Sequence, residues 1–585
     1  MSWYHEAVFY HIYPLGLTGA PKQNDYGAPV HRLNDLLPWV DHIASLNCNA
    51  LYIGPLFESV GHGYETTDYY KPDSRLGENA DLTAFVKYCH KKGMKVIFDG
   101  VFNHVGRDFF AFRDVKEKRE NSPYCDWFCN LNFWNNNEYN DGFSYENWGG
   151  YNLLVKLNQR NPAVQEYICN VIRFWVSEFD VDGIRLDAAD VLDFGFMRAL
   201  RWTANDVKPD FWLMGEVIHG EYSRWVNEGT LHSVTNYHLH KALYSGHNEH
   251  NYFEIAHTVK RLYGMAGNDP NRLKLYNFSD NHDVERIYTK LNNKAHYAPV
   301  HILTYTLPGI PSMYYGSEFG IEGRKERGSD DSLRPALNIA DFKDSVKNNP
   351  MTALIAKLGF IKQNVQILNY GDYREAVLTN RQYAYVRTLD GQSVVVTLNN
   401  DDNDADINVN GIPDGEYVGA ITGARINVGY GHLGCRVAGN SGEVWIPAHI
   451  WDGLDKKALA APIKTAKKAP VKAAKKEENA APIPAAAPVP DPAPAPAPKQ
   501  EKQEKTAASG KPTAADKYGL DSKYAQIIPE EISGRGDYDA MAIEELQVAI
   551  LEKMAKNGPV NDQMIRTVMD NVYPDSLKNW IKSFR

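Results

Sequence analysis

Four short segments of this 585-residue chain end in side chains that can move protons or hold charge. They are Asp99-Gly-Val-Phe-Asn-His104, Gly183-Ile-Arg185-Leu-Asp187, Gly215-Glu216-Val217 and Ser279-Asp280-Asn281-His282-Asp283. Paired carboxylates suit the cleavage of a glycosidic bond. One must donate a proton to the leaving oxygen, so its pKa must be raised; the other stays ionised and attacks or stabilises the cationic sugar carbon. A separation of roughly 5–5.5 Å gives retention of configuration, and a wider gap gives inversion. Taken singly, each residue has a plainer reading. An Asp at a strand end is commonly a turn or cap residue, a lone His a satisfied core group, and Asp99 with Arg185 a structural ion pair. Their recurrence at successive strand ends is what points to chemistry.

The elements that must position them alternate along the chain. Short apolar runs at Val8–Pro14, Ala50–Phe57, Lys95–Phe102, Gly183–Leu186, Phe211–Gly215, Ser233–Tyr237, Leu273–Phe278 and Pro311–Tyr315 read as strands. Leu33–Leu46, Leu82–Lys92, Val164–Phe179, Phe253–Leu262 and Ala298–Leu307 carry apolar residues near a 3.6-residue period and read as helices. Eight such units predict an α/β fold, a parallel (β/α)8 barrel with its active site at the C-terminal ends of the strands. The barrel is expected over 1–365, interrupted after the third strand by a subdomain at about 104–157 that is rich in Asn and aromatics. Over 366–455 the helical period gives way to short alternating runs, among them Tyr383–Val386, Val394–Leu398, Ile407–Val409 and Glu443–Ile446, which read as an antiparallel β-sandwich. Residues 456–515 are Ala, Pro, Lys and Glu and read as a disordered, semi-rigid linker. In 516–585, Met541, Leu546, Ala549, Ile550 and Met554 fall at helical spacing, with further helices expected at Met564–Val572 and around Leu577, Trp580 and Ile581. This small helical module is expected to bind a protein partner or to self-associate.

Composition narrows the classes. A hydrophobic content of 43% excludes a chain disordered throughout, and a net charge of −10 argues against a general nucleic-acid binder. Aromatics at 12% suit sugars, whose flat C–H faces pack on rings, although a large aromatic core would look the same. The six cysteines lack zinc spacing and read as reduced thiols. No signal peptide is visible, and no apolar run approaches the roughly 20 residues of a bilayer span, so a cytoplasmic protein with no membrane partner is expected.

Together, in order and approximate spacing, the four segments resemble the hallmark segments of the α-amylase family of glycoside hydrolases. The resemblance covers roughly residues 1–450. It implies Asp187 as nucleophile, Glu216 as general acid/base and Asp283 as the carboxylate that holds sugar hydroxyls and stabilises the transition state. It implies that Arg185 orients Asp187 and keeps it ionised, and that His104 and His282 hydrogen-bond the sugar at the cleaved subsite. Gly63-Tyr64-Glu-Thr-Thr-Asp68 is similar to the segment whose Tyr stacks under that sugar, Asp330-Asp-Ser-Leu-Arg334 to an Asp/Arg pair contacting more distal sugars, and Gly309–Gly316 to the eighth strand.

Val155-Lys156-Leu157-Asn158 followed by Asn161-Pro162, Tyr124-Cys-Asp-Trp127-Phe128, and His219 with Trp225 are similar to neopullulanases, cyclomaltodextrinases and maltogenic amylases. Those enzymes carry an N-terminal β-sandwich, which is expected to be missing here because the first barrel strand starts almost at Met1, and Ala188-Ala189-Asp190-Val191 departs from their pattern. The resemblance implies an α-glucan oligosaccharide substrate and retaining cleavage of α-1,4 bonds. A transglycosylase or isomerase would use the same site; a non-catalytic binding or assembly subunit would have lost the carboxylates that this chain keeps. No cofactor and no metal are expected; Asn103 matches a calcium-binding position of many α-amylases, but a hydrogen bond within the site is the favoured reading. Of the insert aromatics Trp127, Phe128, Trp134 and Trp148, most are expected to be core, with Trp148 the candidate sugar platform.

Overall fold

In the computed structural model, eight short strands run parallel: β1 Phe9–Ile12, β2 Ala50–Ile53, β3 Lys95–Gly100, β4 Gly183–Leu186, β5 Trp212–Gly215, β6 Ser233–Val234, β7 Tyr276–Phe278 and β8 Ile310–Tyr314. They lie in the order β6-β5-β4-β3-β2-β1-β8-β7. A parallel bridge between Thr235 and Tyr276, just past β6, closes the ring. The structure describes residues 2–269 and 271–458, and a discontinuous set between 513 and 581.

Side chains alternate across each strand with a period of two. Phe9, Tyr52, Ile97, Trp212, Met214, Tyr276 and Phe278 form one buried cluster, the barrel interior. The residues between them, including Tyr10, Leu51, Val96, Phe98, Ile184 and Leu213, belong to the larger core shared with the helices. Carrying the same parity along β3, β4 and β5 puts Asp99 and Arg185 inside the barrel and Asp187 and Glu216 just past the strand ends.

The outer helices are α1 Leu37–Ser45, α2 Asn79–Lys91, α3 Pro162–Phe179, α4 Phe194–Val207, α5 Tyr237–Asn248, α6 Tyr252–Met265, α7 Tyr297–Thr306 and α8 Pro350–Asn364. Their starts are written in sequence. Asn161 caps α3 by accepting from the Ala163 N–H, with Pro162 at the first turn, and Asn349 with Pro350 does the same for α8. The units are less uniform than the pattern predicts. No α-helix follows β5, only the 3-10 turn Tyr222–Arg224, because the segment up to β6 is polar and broken at Gly220 and Gly229. Two helices, α5 and α6, follow β6 instead.

The insert after β3 is a three-stranded antiparallel sheet of His104–Gly106, Tyr151–Lys156 and Asn147–Trp148. Phe128 is buried in it and Trp127 packs edge-on against Phe110. Trp134 corrects the expectation of a core role: it is 98% exposed.

The C-terminal sheets comprise β9 Asp372–Leu378, β10 Gln382–Leu389, β11 Gln392–Asn399, β12 Ala405–Asn410, β13 Gly415–Gly419, β14 Arg425–Val428, β15 His432–Val437 and β16 Ser441–Pro447. A six-stranded antiparallel sheet, β9-β10-β11-β16-β13-β14, faces the pair β12-β15 across a core that includes Val386, Val395, Ile407, Leu433 and Trp445. Its other face, with Tyr383, Tyr385, Val394 and Val396, joins the barrel core.

Beyond residue 458, most of the expected linker lies outside the described residues. The segment Lys472–Arg585 forms its own unit. Its described helices are Ala514–Tyr518, Pro529–Ser533 and Ile543–Asn557. Leu546, Val548, Ala549, Ile550 and Leu551 are buried together with Val568, Leu577 and Ile581. Met541 precedes the long helix rather than lying on it, and the expected helices further on fall only in part on described residues. Among the described residues, no helix is long and apolar enough to cross a membrane.

Three buried cations sit where the sandwich meets the barrel. Arg387 donates to the carbonyl of Thr306 at the end of α7 (2.8 Å), Lys362 to that of Leu368 (3.0 Å), and Lys274 to that of Asn369. Carbonyls at helix ends carry partial negative charge, which suits a cation. Burial and the nearby Arg387 nonetheless bring Lys274 down from 10.5 to about 7. The unfolded chain therefore binds more protons than the folded one between about pH 7 and 10.5. Stability contributed by Lys274 is expected to rise with pH across that window. Chemical denaturation at several pH values should show this rise in the wild type and a flatter profile in Lys274→Met.

Candidate active site

Arg185 stands at the centre of the barrel mouth and is buried. Asp99 is its register partner on the neighbouring strand, so the pairing of β3 with β4 sets the two side by side. Arg185 Nη1 donates to both oxygens of Asp99 (2.8 and 3.1 Å) and to Asp187 Oδ1 (2.9 Å). Its Nη2 lies 2.8 Å from Glu216 Oε2. Burial works against the guanidinium charge, but Asp99 and Glu216 outweigh it and hold Arg185 above the ordinary arginine value. Tyr52 (2.7 Å) and Tyr64 (3.2 Å) also donate to Asp99, and the Tyr52 ring stacks on His11 with centroids 4.1 Å apart.

The backbone aims the two outer carboxylates. The Asp187 N–H donates to Gly100 O and the Glu216 N–H to Leu186 O, continuing the parallel ladder beyond the strands. Ala188 then takes φ +45°, in the left-handed region. That turn brings its N–H to Glu216 Oε2 at 3.1 Å, and Tyr237 donates to Glu216 Oε1 at 3.2 Å. Asn281 in turn donates to the Tyr237 hydroxyl at 3.1 Å.

Asp283 is anchored from the other side. His282 Nε2 lies 3.0 Å from its Oδ2, and Arg334 Nη2 donates to its Oδ1 at 2.8 Å and to Asp330 Oδ2 at 3.1 Å. Burial alone would raise the Asp283 carboxyl, but His282, Arg334 and Arg185 together hold it well below the usual range. The Arg334 guanidinium also lies 4.6 Å from the Tyr13 ring centre. Tyr64 contacts His282 through its hydroxyl, their rings 14° from parallel. Asp280, in the same segment, faces away and accepts from the Ile287 N–H (2.7 Å) and the Ser317 hydroxyl (2.8 Å).

His104 is buried and neutral: burial and the nearby His62 bring it down to about 3. Its Nδ1 meets the Asn103 side-chain amide nitrogen at 3.2 Å, which assigns the proton to Nε2. That atom is buried, has no hydrogen-bond partner, and lies 4.0 Å from Asp187 Oδ2. Trp148 stacks parallel to His104, 9° between planes at 6.5 Å.

Arg185 favours the ionised form of Asp187, as expected, but the carboxyl as a whole is pushed well above the ordinary value. Burial is the largest cause, Arg185 opposes it, and Glu216, Asp99 and Asp283 add to the rise. A guanidinium shared among three carboxylates neutralises only part of their mutual repulsion.

The nine expected residues Asp187, Glu216, Asp283, Tyr64, His104, Arg185, His282, Asp330 and Arg334 meet around this mouth. Tyr237, Tyr52 and Tyr13 are further members that the sequence reading missed. Tyr237 carried a signal, a hydroxyl closing the sixth apolar run. Trp225, one of the residues similar to the neopullulanase group, is only 6% exposed and packs on Phe194. His219 is exposed.

The Asn103 carbonyl oxygen, the atom a cation would need, accepts from Gln159 Nε2 at 3.0 Å. Among the described residues no group of three or more His, Cys, Asp or Glu side chains is arranged to hold a metal.

A parallel barrel with three carboxylates and an arginine at the C-terminal ends of its strands is an arrangement that suits glycoside cleavage. Residues 32–381 match the family description "Alpha amylase, catalytic domain". The chain is 31% identical over 425 residues to a cyclomaltodextrinase of Thermoanaerobacter pseudethanolicus, covering 68% of this chain and 71% of that one. It is 31% identical over 426 residues to neopullulanase 2 of Thermoactinomyces vulgaris (68% and 70% covered), and 27% identical over 419 residues to an intracellular maltogenic amylase of Bacillus subtilis (68% and 69%). A solved cyclomaltodextrinase structure superposes with a TM-score of 0.67 at 25% identity, covering 76% of this chain and 78% of that one. The chain belongs to the α-amylase family of glycoside hydrolases.

Arg185→Lys tests the centre of the site. A lysine offers one point charge and cannot span three carboxylates with a planar fork. Turnover at saturating substrate is expected to fall by about 10²–10³-fold, the scale of losing one positioned donor. An unchanged rate in steady-state kinetics would show that the fork is dispensable.

Proposed function

We propose that this enzyme hydrolyses α-1,4 bonds of maltodextrins through a covalent glycosyl-enzyme. The observation that carries the reading is the single guanidinium spanning Asp187 and Glu216. It favours the short carboxylate spacing of about 5–5.5 Å that goes with retention over the roughly 6.5–9.5 Å that leaves room for an attacking water. Asp187 acts as the nucleophile. Positive charge developing at the sugar carbon favours its ionised form, opposing the upward push of the empty, carboxylate-rich cluster. Glu216 protonates the leaving oxygen and then activates water, held in place by Ala188 N–H and Tyr237. Asp283, kept ionised by His282 and Arg334, takes the sugar hydroxyls. His104 Nε2 donates to the same sugar, Tyr64 packs on its face, and Asp330 with Arg334 meets the sugar beyond it. The names of the relatives, cyclomaltodextrinase, neopullulanase and maltogenic amylase, support α-glucan oligosaccharides as the substrate class.

No metal or cofactor enters this reading; the hydrogen bond from Gln159 to the Asn103 side-chain oxygen supports a role for Asn103 within the site. Six free cysteines and an intracellular relative support a cytoplasmic location. The test is maltoheptaose digestion in the presence of a chelator, with the first product followed by NMR. Short linear products of retained anomeric configuration are expected, and Glu216→Gln should lower turnover by about 10²–10⁴-fold. An inverted first product would remove Asp187 from the nucleophile role.

For the module 516–585, we propose docking to a protein partner or to a second copy. Its compact apolar core supports an independently packed unit, as a docking element needs. Sedimentation should show a smaller assembly for a chain truncated after Leu454 than for the full chain; identical assembly and partners would overturn the proposal.

A further inference from the structure

Beside Glu216 the barrel opens into a second cleft of about 780 Å³. Its walls come from the segment after β5, from α5 and α6, and from β9 of the sandwich. Tyr237, which holds Glu216, forms part of the wall, and Ile218 and His219 follow Glu216 by two and three residues. The cleft therefore adjoins the residues that hold and follow the proton donor.

Its charge is unlike that of the catalytic mouth. His257, Lys260 and Arg261 lie close together on α6, and Lys241 adds a third cation to a lining that also holds His219 and His238. Two acids accompany them. Glu254 is engaged by Lys241 (2.9 Å) and Ser245 (3.0 Å), and Glu375 stands on β9. Among the described residues, no carboxylate pairs with Arg261 or Lys260. Arg261 Nη2 donates instead to His238 Nδ1. A histidine that accepts there is neutral and carries its proton on Nε2. Its environment agrees, since burial, Arg261 and His219 bring His238 down to about 4. The His238 ring is packed by Tyr222, centroids 4.7 Å apart, so the guanidinium is steadied by a fixed neutral partner that leaves its charge uncompensated. A guanidinium fork with a lysine beside it is a good match for a phosphate monoester. Phe253 (48% exposed) and Ile218 (39%) add apolar surface on which a sugar ring can pack.

We propose that this cleft binds a phosphorylated sugar, so that the enzyme accepts α-glucosides whose leaving group carries a phosphate monoester. Arg261, Lys260 and His219 receive the phosphate, and Phe253 packs against the ring. The substrate part of this inference rests on the glycosidase reading above, but the binding part does not.

Calorimetry on the full chain with glucose 6-phosphate, glucose and inorganic phosphate tests it without turnover. Glucose 6-phosphate is expected to bind about tenfold or more tightly than either comparison compound, and to weaken as salt is raised. Arg261→Gln and Lys260→Gln, both at exposed positions, should each reduce that preference. Glucose 6-phosphate binding no tighter than glucose would overturn the proposal. Inorganic phosphate binding equally well would overturn the sugar-phosphate assignment, and a preference that survives both substitutions would overturn the placement. A chain that binds glucose 6-phosphate but leaves maltoheptaose intact would sink the hydrolase reading and keep this one; the reverse result would do the opposite.

Discussion

A guanidinium buried inside a barrel is tolerable only when anions meet it, and Arg185 is met by three. Charges taken out of water lose several kcal/mol of hydration each, by order of magnitude, and the geometry must return it. Asp99 returns most, side by side with Arg185 in register and bidentate to it. Asp187 and Glu216 share what remains. This division gives the site its character. Asp99 is saturated by Arg185, Tyr52 and Tyr64 and is fixed in place. Of the two outer carboxylates, Asp187 is held by Arg185 alone, and Glu216 by Arg185, the Ala188 N–H and the Tyr237 hydroxyl.

The surroundings split the mouth into two unlike halves. On one side Asp283, Arg334, Asp330 and Lys325 form a continuous chain of ion pairs, with Lys325 3.0 Å from Asp330. Such a chain leaves little charge uncompensated and presents fixed acceptors to neutral hydroxyls. On the other side Tyr237 separates Glu216 from a cleft whose cations outnumber its acids. The mouth is thus asymmetric in charge, compensated at one end and with an excess of cations at the other. That asymmetry arises from the departure of this barrel from strict repetition. With no α-helix after β5 and two after β6, the segment carrying Ile218 and His219 lies open beside α5 and α6.

Much of this was legible in the chain. All eight apolar runs read as strands are barrel strands, because a strand buried on both faces must be apolar along its length while the polar residues needed for chemistry collect at its end. The helix starts at Asn161-Pro162 and Asn349-Pro350 follow from capping, a local rule. Trp134, by contrast, was taken for core by type alone and lies in water. Trp225, also an aromatic, is packed inside. An aromatic ring suits either place, and neighbours distant in sequence decide between them.

The sequence by itself determined the barrel, the ends of its strands, and which carboxylates, histidines and arginines stand there, since these depend on period, parity and capping over a few residues. Tertiary structure alone decided how their charge is shared. Asp99 and Arg185 are 86 residues apart, and only strand register makes them a pair. Whether Asp187 is driven towards its ionised or its neutral form depends on burial and on Glu216, Asp99 and Asp283 at once. Those are through-space quantities that fall with distance between atoms, and distances between atoms far apart in the chain exist only once the barrel has closed.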